Sequence, residues 1–435
     1  MKKLAKQKKL IFINRYFYPD ISATSQLLSD LAFDLAQDQN VHIITSSQCY
    51  DDPSIKLPSF EVINQVQIHR LWTSRFGRLH LLGRAFDYLT FYTSAAWRLW
   101  RLVSPGDVVI AKTDPPLISI VASVIVKWRG AVLVNWLQDI FPEIASALGV
   151  FGMRGRVFNL LQFLRNRSLQ RAQINVVLGD LMAKRLTRLG LAKTQITEIH
   201  NWADGENIQP LAKANNPLAR EWGLQDKFVV AYSGNMGRPH EFATLLEAAE
   251  KLAENEKIIF LFIGNGSQRK WIVQEVAERR LVNVIFRPYQ PRERLGKSLT
   301  VADVHLITLH PALEALIVPS KFYGIAAAGR PVLYIGDKEG EIPRVLSYYD
   351  CGITVPEKDS QGLANQIIFL AENTERCQQM GINARELFDK LFDKPKALAL
   401  WREVLFLNKT VPKKTQEAIF TTNGVVEENP VVPMS

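Results

Sequence analysis

In "VPSKFYGIAAAGRPVLYIG", residues 318 to 336, a lysine follows Pro319 and Ser320 directly. A proline near the first turn and Gly329 past the last mark both ends of a short helix of small residues. A cation at a helix start is electrostatically unwelcome without an anion nearby, so the stretch predicts a phosphate contact at Lys321, with Ser320 beside it. Other candidates gather where parallel strands should end, the edge at which open α/β sheets bind ligands. They are "GNMGR" (234–238), "GNGSQR" (264–269), "RPYQPRE" (287–293) and "HPALEALIVPSK" (310–321). Gly234, Gly237, Gly264 and Gly266, with the amide of Asn235, would let backbone approach a diphosphate. Arg238 and Lys321 would offset the charge that grows on a departing diphosphate.

No metal is expected in that site. The chain has no G-x-x-x-x-G-K-[ST], no H-E-x-x-H, no G-x-S-x-G and no Asp-x-Asp pair. Asp51 and Asp52 are adjacent and would point apart on a strand. Cys49, Cys351 and Cys377 have no paired spacing, which argues against a disulfide framework or a zinc site and suits a reducing cytosol. A nucleotide-bearing substrate without metal or cofactor is the simpler reading.

The elements that must position these residues alternate. Apolar, β-rich runs at "KLIFINRYF", "VHIITSS", "DVVIAKT", "AVLVNWLQD" and "INVVLG" leave room for a helix between each pair, the pattern of buried parallel strands. Between the first two, "SATSQLLSDLAFDLAQDQ" has helical spacing behind the polar starters Ser22 and Thr24. A polar stretch with prolines and an Asp-Gly turn follows near residue 205, and then the alternation begins afresh. Two doubly wound α/β domains are predicted, 1–205 and 206–385. A C-terminal helix at 386–410 is expected to pack back on the first domain, and 411–435 lacks periodicity and reads as a disordered tail.

Of 435 residues, 47% are hydrophobic and 22% charged, which is globular composition. The net charge of +10 is uneven: residues 1–200 hold 25 Lys and Arg against 14 Asp and Glu, and the remainder is balanced. That excess suits an anionic partner such as lipid head groups, although it also serves solubility. The segment 84–102 interleaves aromatics with Arg84, Arg98 and Arg101, as at a membrane interface or in a core helix with snorkelling ends. No apolar run is long enough for a signal peptide or a membrane span. Charge alone would permit nucleic acid, but no motif supports it.

Taken together, "E…PSK" followed by "AAGRPV", "YFYPDISATSQLLSDLAFDLAQ" (16–37) and "QDIFPEIASALGV" (138–150) resemble the retaining, family 4 (group 1) glycosyltransferases of the GT-B fold, in their bacterial polysaccharide-synthesis branch. The resemblance covers about residues 9 to 400. It implies that a nucleotide sugar is bound by the second domain and an acceptor glycan, lipid-linked, by the first, at the inner face of the plasma membrane. It also implies that Glu314 is the first acid of a Glu-x7-Glu motif touching the sugar. The second acid of that motif falls at Gly324, at a spacing two residues longer, and the family's Arg and Lys after the first donor strand fall at Asn235 and His240. On the crevice side, Asp139 is a candidate to meet the acceptor hydroxyl, against a role as helix cap. Ser22, Thr24 and Glu143 are further acceptor-side candidates, and His240 and His310 flank the same crevice. A sugar-nucleotide epimerase on the same architecture, or a binding protein that has lost catalysis, is the alternative.

Overall fold

The computed structural model describes residues 8–49, 55, 57–76, 81–150 and 155–406, with the side chains of residues 81 and 82 excepted. The lysines before residue 8, the Asp51–Asp52 pair and the expected tail at 411–435 lie outside the described residues. The first sheet contains β1 (Lys9–Ile13), β2 (Asn40–Ser46), β3 (Phe60–Ile63), β4 (Val66–Leu71), β5 (Val108–Lys112), β6 (Val132–Trp136), β7 (Ile174–Val177) and β8 (Ile196–Glu198). Their spatial order is β3-β4-β2-β1-β5-β6-β7-β8, all parallel except the β3–β4 hairpin. Helices cover both faces, so β1 is buried at all five positions and needs an unbroken apolar run.

The hairpin at β3 and β4 was not expected from the sequence. Its two turn residues, Asn64 and Gln65, take φ of 45° and 66°, as a tight hairpin turn requires, without the glycine that normally announces one. The three-residue β8 also escaped notice, being too short to show a period.

The second sheet contains β9 (Phe228–Ser233), β10 (Ile258–Ile263), β11 (Val284–Arg287), β12 (Val304–Thr308), β13 (Val332–Ile335) and β14 (Gly352–Val355). It is wholly parallel, in the order β11-β10-β9-β12-β13-β14. The order reverses between β9 and β12, so the loops beyond these two strands diverge and leave a crevice between them. Gly234 ends β9, and His310 follows β12.

One apolar cluster runs through both domains. It joins Leu137, Ile140, Leu178 and Leu186 of the first to Leu309, Leu316, Phe322 and Ile342 of the second. Backbone crosses with it: Ile140 N–H donates to the Leu316 carbonyl at 2.9 Å, and Asp139 forms an antiparallel bridge with Ile317. A buried carboxylate reinforces the seam. Glu341 accepts from Asp180 N (3.2 Å) and Leu181 N (2.9 Å), satisfying the free amides at the start of the Asp180–Arg188 helix. Gly179 allows this, because a Cβ there would lie 2.5 Å from that carboxylate.

The last described helix returns to the first domain. After the Thr374–Leu391 helix it turns at Phe392 and Asp393, and the Lys394–Phe406 helix starts with Pro395 in its first turn. Trp401 is fully buried, its ring 4.6 Å from that of Trp136 at the end of β6, which also stacks on Trp202 at 5.9 Å. Arg402 anchors the same helix to Asp34 (2.8 Å) and Asp38 (3.0 Å). Truncating Trp401 to alanine should cost about 3–5 kcal/mol through the cavity left beside Trp136. Urea unfolding monitored by circular dichroism would measure it, and a loss below about 1 kcal/mol would show that the helix does not support the first domain.

Candidate active site

A cavity of about 240 Å³ opens between the two domains. The first domain contributes Ala23 and Asp30 from the Ala23–Leu35 helix, the linker contributes Trp202, and the second contributes Gly234, Tyr289, Leu299, Ser320, Lys321 and Gly324. Asp30 ties the rim together. It accepts from the indole of Trp202 and from Arg292 of the opposite domain, each at 3.2 Å.

Lys321 is the first residue of a seven-residue helix, Lys321–Ala327. Its Nζ donates to the Tyr232 hydroxyl at 2.5 Å and lies 3.8 Å from the centre of that ring. The Tyr232 hydroxyl in turn donates a hydrogen bond to the Asn235 carbonyl at 2.9 Å. The ammonium therefore leans on a neutral phenol, and among the described residues no carboxylate pairs with it. Burial alone pushes the amine down to about 7, and the same charge helps burial hold His240 neutral. His240 Nδ1 donates to the Thr308 carbonyl at 2.6 Å. A desolvated cation without a counter-charge is costly unless an anion arrives.

Gly234 sits beside Lys321. Its φ is 132°, and a Cβ there would meet the lysine Cε at 3.4 Å. Gly264 and Gly266 serve a different purpose from the one expected. A Cβ on Gly264 would be 2.2 Å from the Gly234 carbonyl oxygen, and one on Gly266 would be 2.5 Å from Met236 backbone. They let the loops after β9 and β10 touch each other. Gly237 packs against the Asn235 side chain, and Asn235 itself is exposed and outside the cavity lining.

Arg238 departs further from expectation. It is exposed and donates to the Leu148 carbonyl across the domain seam at 2.7 Å, beside His310 and Glu357, in a cleft separate from Lys321. His310 is occupied by Glu357 at 2.8 Å. The expected pairing of Arg238 with Lys321 on one diphosphate is not what the fold brings together.

Glu314 and Asp139 lie along the seam, outside the cavity lining. Glu314 Oε1 accepts from the Tyr334 hydroxyl at 2.7 Å, and Gly340 is close enough that a Cβ would clash with the carboxylate. Burial lifts Glu314 to about 7. Asp139 is lifted to about 7 as well, by burial first and then by Asp114, while Thr113 donates a hydrogen bond to it. One oxygen, Asp139 Oδ1, has no hydrogen-bond partner. Glu143 is buried and partly engaged: its Oε1 pairs with Arg165 at 2.5 Å and accepts from Gln162, while its Oε2 has no hydrogen-bond partner among the described residues. Ser22 precedes the first helix without a side-chain cap bond, its buried hydroxyl unpartnered, and the Thr24 carbonyl accepts from Lys112 at 2.7 Å.

Residues 217–387 match the family model described as "Glycosyl transferases group 1". That stretch, most of the second domain, is therefore similar to the group 1 glycosyltransferases. "Probable glycosyltransferase WbjE" of Pseudomonas aeruginosa is 29% identical over 293 residues, covering 67% of this chain and 72% of that protein. "Putative colanic acid biosynthesis glycosyl transferase WcaI" of Escherichia coli (strain K12) is 25% identical over 335 residues, covering 75% and 79%. The structure of Anabaena Alr3699/HepE in complex with UDP-glucose aligns with a TM-score of 0.69 at 17% identity, over 91% of this chain and 99% of that one. The fold is GT-B, two Rossmann-like domains facing across a cleft, as the sequence led us to expect. Motif reasoning passed over Tyr232, an ordinary core position by pattern that supports Lys321 from behind the cavity wall, and the cavity residues Asp30 and Trp202, whose only signal is tertiary.

Two titrations test the electrostatics. Between the ordinary aspartate value of 3.8 and about 7, folded Asp139 holds a proton that the unfolded chain has released, so its contribution to stability falls as pH rises through that window. Asp139→Asn should therefore unfold at higher urea than wild type at pH 8 and lose the advantage toward pH 4; an advantage that is equal at both pH values would refute the raised pKa. Lys321 should lose its charge above about 7, so affinity for UDP, measured by calorimetry, should fall by up to roughly tenfold per pH unit from 7 to 9. A flat profile in that range would show a lysine that stays charged.

Proposed function

We propose that this protein transfers a sugar from a nucleoside diphosphate sugar to a hydroxyl of a lipid-linked glycan, with retention at the anomeric carbon, in the synthesis of a cell-surface polysaccharide. The observation that carries the reading is Lys321, a desolvated cation without a counter-anion in a cavity whose walls come from both domains. A diphosphate is the ligand chemistry that would complete it. The apolar wall at Leu299 and the absent side chain at Gly324 leave room for a flat base beside it, since a Cβ at 324 would already reach Leu299 Cδ1 at 3.4 Å.

In this reading the glycosidic bond to the diphosphate breaks as the acceptor oxygen forms its bond to the same carbon. Lys321 holds the charge that develops on the leaving phosphate, and a phosphate oxygen takes the acceptor proton. The reading assigns no role to a metal or cofactor. Asp139 would meet the acceptor, with a carboxyl that is near its midpoint at neutral pH. Glu314 would act on the sugar only after the seam opens enough to free it from Tyr334. The names of WbjE and WcaI and the UDP-glucose bound by HepE support the polysaccharide context and a nucleotide-sugar donor. Action on the cytoplasmic face of the membrane belongs to the same reading. An epimerase would need acid and base groups on both sides of the sugar, and the acids of the cavity lining are already engaged, Asp30 by Trp202 and Arg292 and Asp204 by Lys394.

Lys321→Ala should keep the wild-type circular dichroism and lose about 10²-fold or more in turnover of UDP-sugar with a glycan acceptor. Its stabilisation by UDP should also vanish. Full turnover in the variant would overturn the role given to Lys321, and conversion of the donor sugar without acceptor would favour the epimerase.

A further inference from the structure

Three helices lie side by side on the outside of the first domain: Leu81–Leu102, Ile118–Arg129 and Gly155–Arg171. The first hides Phe91, Ala95 and Leu99 against the sheet, as an amphipathic helix should. Its opposite side is also apolar. Phe86, Trp97 and Trp100 stand there at helical spacing, with Trp97 65% exposed. The second helix adds Trp128, 76% exposed, and the third adds Leu160 and Phe163 at 56% and 58%. Large apolar side chains exposed on three adjacent helices exceed the single scattered ones of an ordinary surface.

The charge on the same helices is of one sign. They carry nine Arg and Lys and a single acid, Asp87, which is buried. Six of the cations are exposed, among them Lys127 and Arg167. Arg101, Arg129 and Arg167 lie over the rings of Trp97, Trp100 and Phe163 at 5.6, 5.3 and 5.9 Å. Cations set among half-buried rings suit the headgroup level of a bilayer, where rings enter the acyl boundary and guanidinium groups meet phosphate. A second copy of the face would meet the first with like charge. No helix among the described residues is long and apolar enough to cross a membrane, so the geometry is that of a surface lying on one.

We propose that this three-helix face seats the protein on an anionic lipid bilayer. The inference rests on the reading of a lipid-linked acceptor for its purpose and names the surface that would bring such an acceptor to the cleft. Each of the three helices begins on the carboxyl side of the strands, the edge that carries the crevice, so a docked face holds the crevice beside the headgroups.

The test is flotation of the full chain with vesicles of phosphatidylcholine, alone or mixed with phosphatidylglycerol. Wild type should float with the mixed vesicles and not with the neutral ones, and about 0.5 M salt should weaken binding. Two double variants, Trp97→Glu with Trp128→Glu and Lys127→Glu with Arg167→Glu, should each bind roughly tenfold or more weakly. Both should keep the stabilisation by UDP, which reports the fold and the donor site independently of the membrane face. Equal binding to both vesicles, no binding, or undiminished binding by both variants would overturn the proposal. So would a wild-type dimer in light scattering that either pair converts to monomer.

Discussion

Apolar surface shared between the two domains decides the shape of everything else. The cluster from Leu137 and Ile140 through Leu316 to Ile342 is one core, and the backbone bridge at Asp139 and Ile317 runs through it. Burial of that area is non-directional, so it brings the domains together without fixing their angle. The directional contacts are polar: Ile140 to Leu316, Glu341 onto the first turn of the Asp180–Arg188 helix, and Arg292 to Asp30 at the other rim. The cavity exists because these ties hold Ala23 and Asp30 opposite Lys321 and Tyr289.

Buried cations elsewhere in the chain show what is unusual at Lys321. Lys9 is paired with Asp107 at 3.0 Å, Arg165 with Glu143, and Arg15 with Asp87. Lys112 rests on Trp136 and a carbonyl, with Asp114 and Asp30 close enough to act on it. Lys321 has a phenol and no acid. Lys321 thus differs from Lys9, Arg165 and Arg15 in having no ion pair among the described residues, and from Lys112 in having no acid close enough to act on it.

The acids along the seam carry a related cost. Asp139 and Glu314 are both held near 7 by burial at a surface where the two domains meet. Each would become an ordinary carboxylate if water entered, so relative motion of the domains and protonation of these residues are coupled. The same first domain presents cations and aromatics on its far side. The first half of the chain thus concentrates positive charge outward, while the second holds Lys321 inward without an ion pair among the described residues.

By itself the sequence determined two doubly wound domains and their strands other than β3, β4 and β8, because buried parallel strands need unbroken apolar runs, and it marked Lys321 and Gly234 as candidates at the carboxyl edge of the second sheet. It also marked the helix of aromatics and arginines at 84–102. It could not show that Arg238 reaches Leu148, that Glu143 pairs with Arg165, or that Gly264 and Gly266 serve loop packing. Those outcomes depend on which loop a side chain meets after the domains close, and residue type and spacing carry no record of that. The Asn64–Gln65 turn was hidden because it adopts positive φ without glycine. Tyr232, which meets Lys321, and Asp30 and Trp202, which share its cavity, lie 89, 291 and 119 positions from it, a separation that only tertiary packing can close.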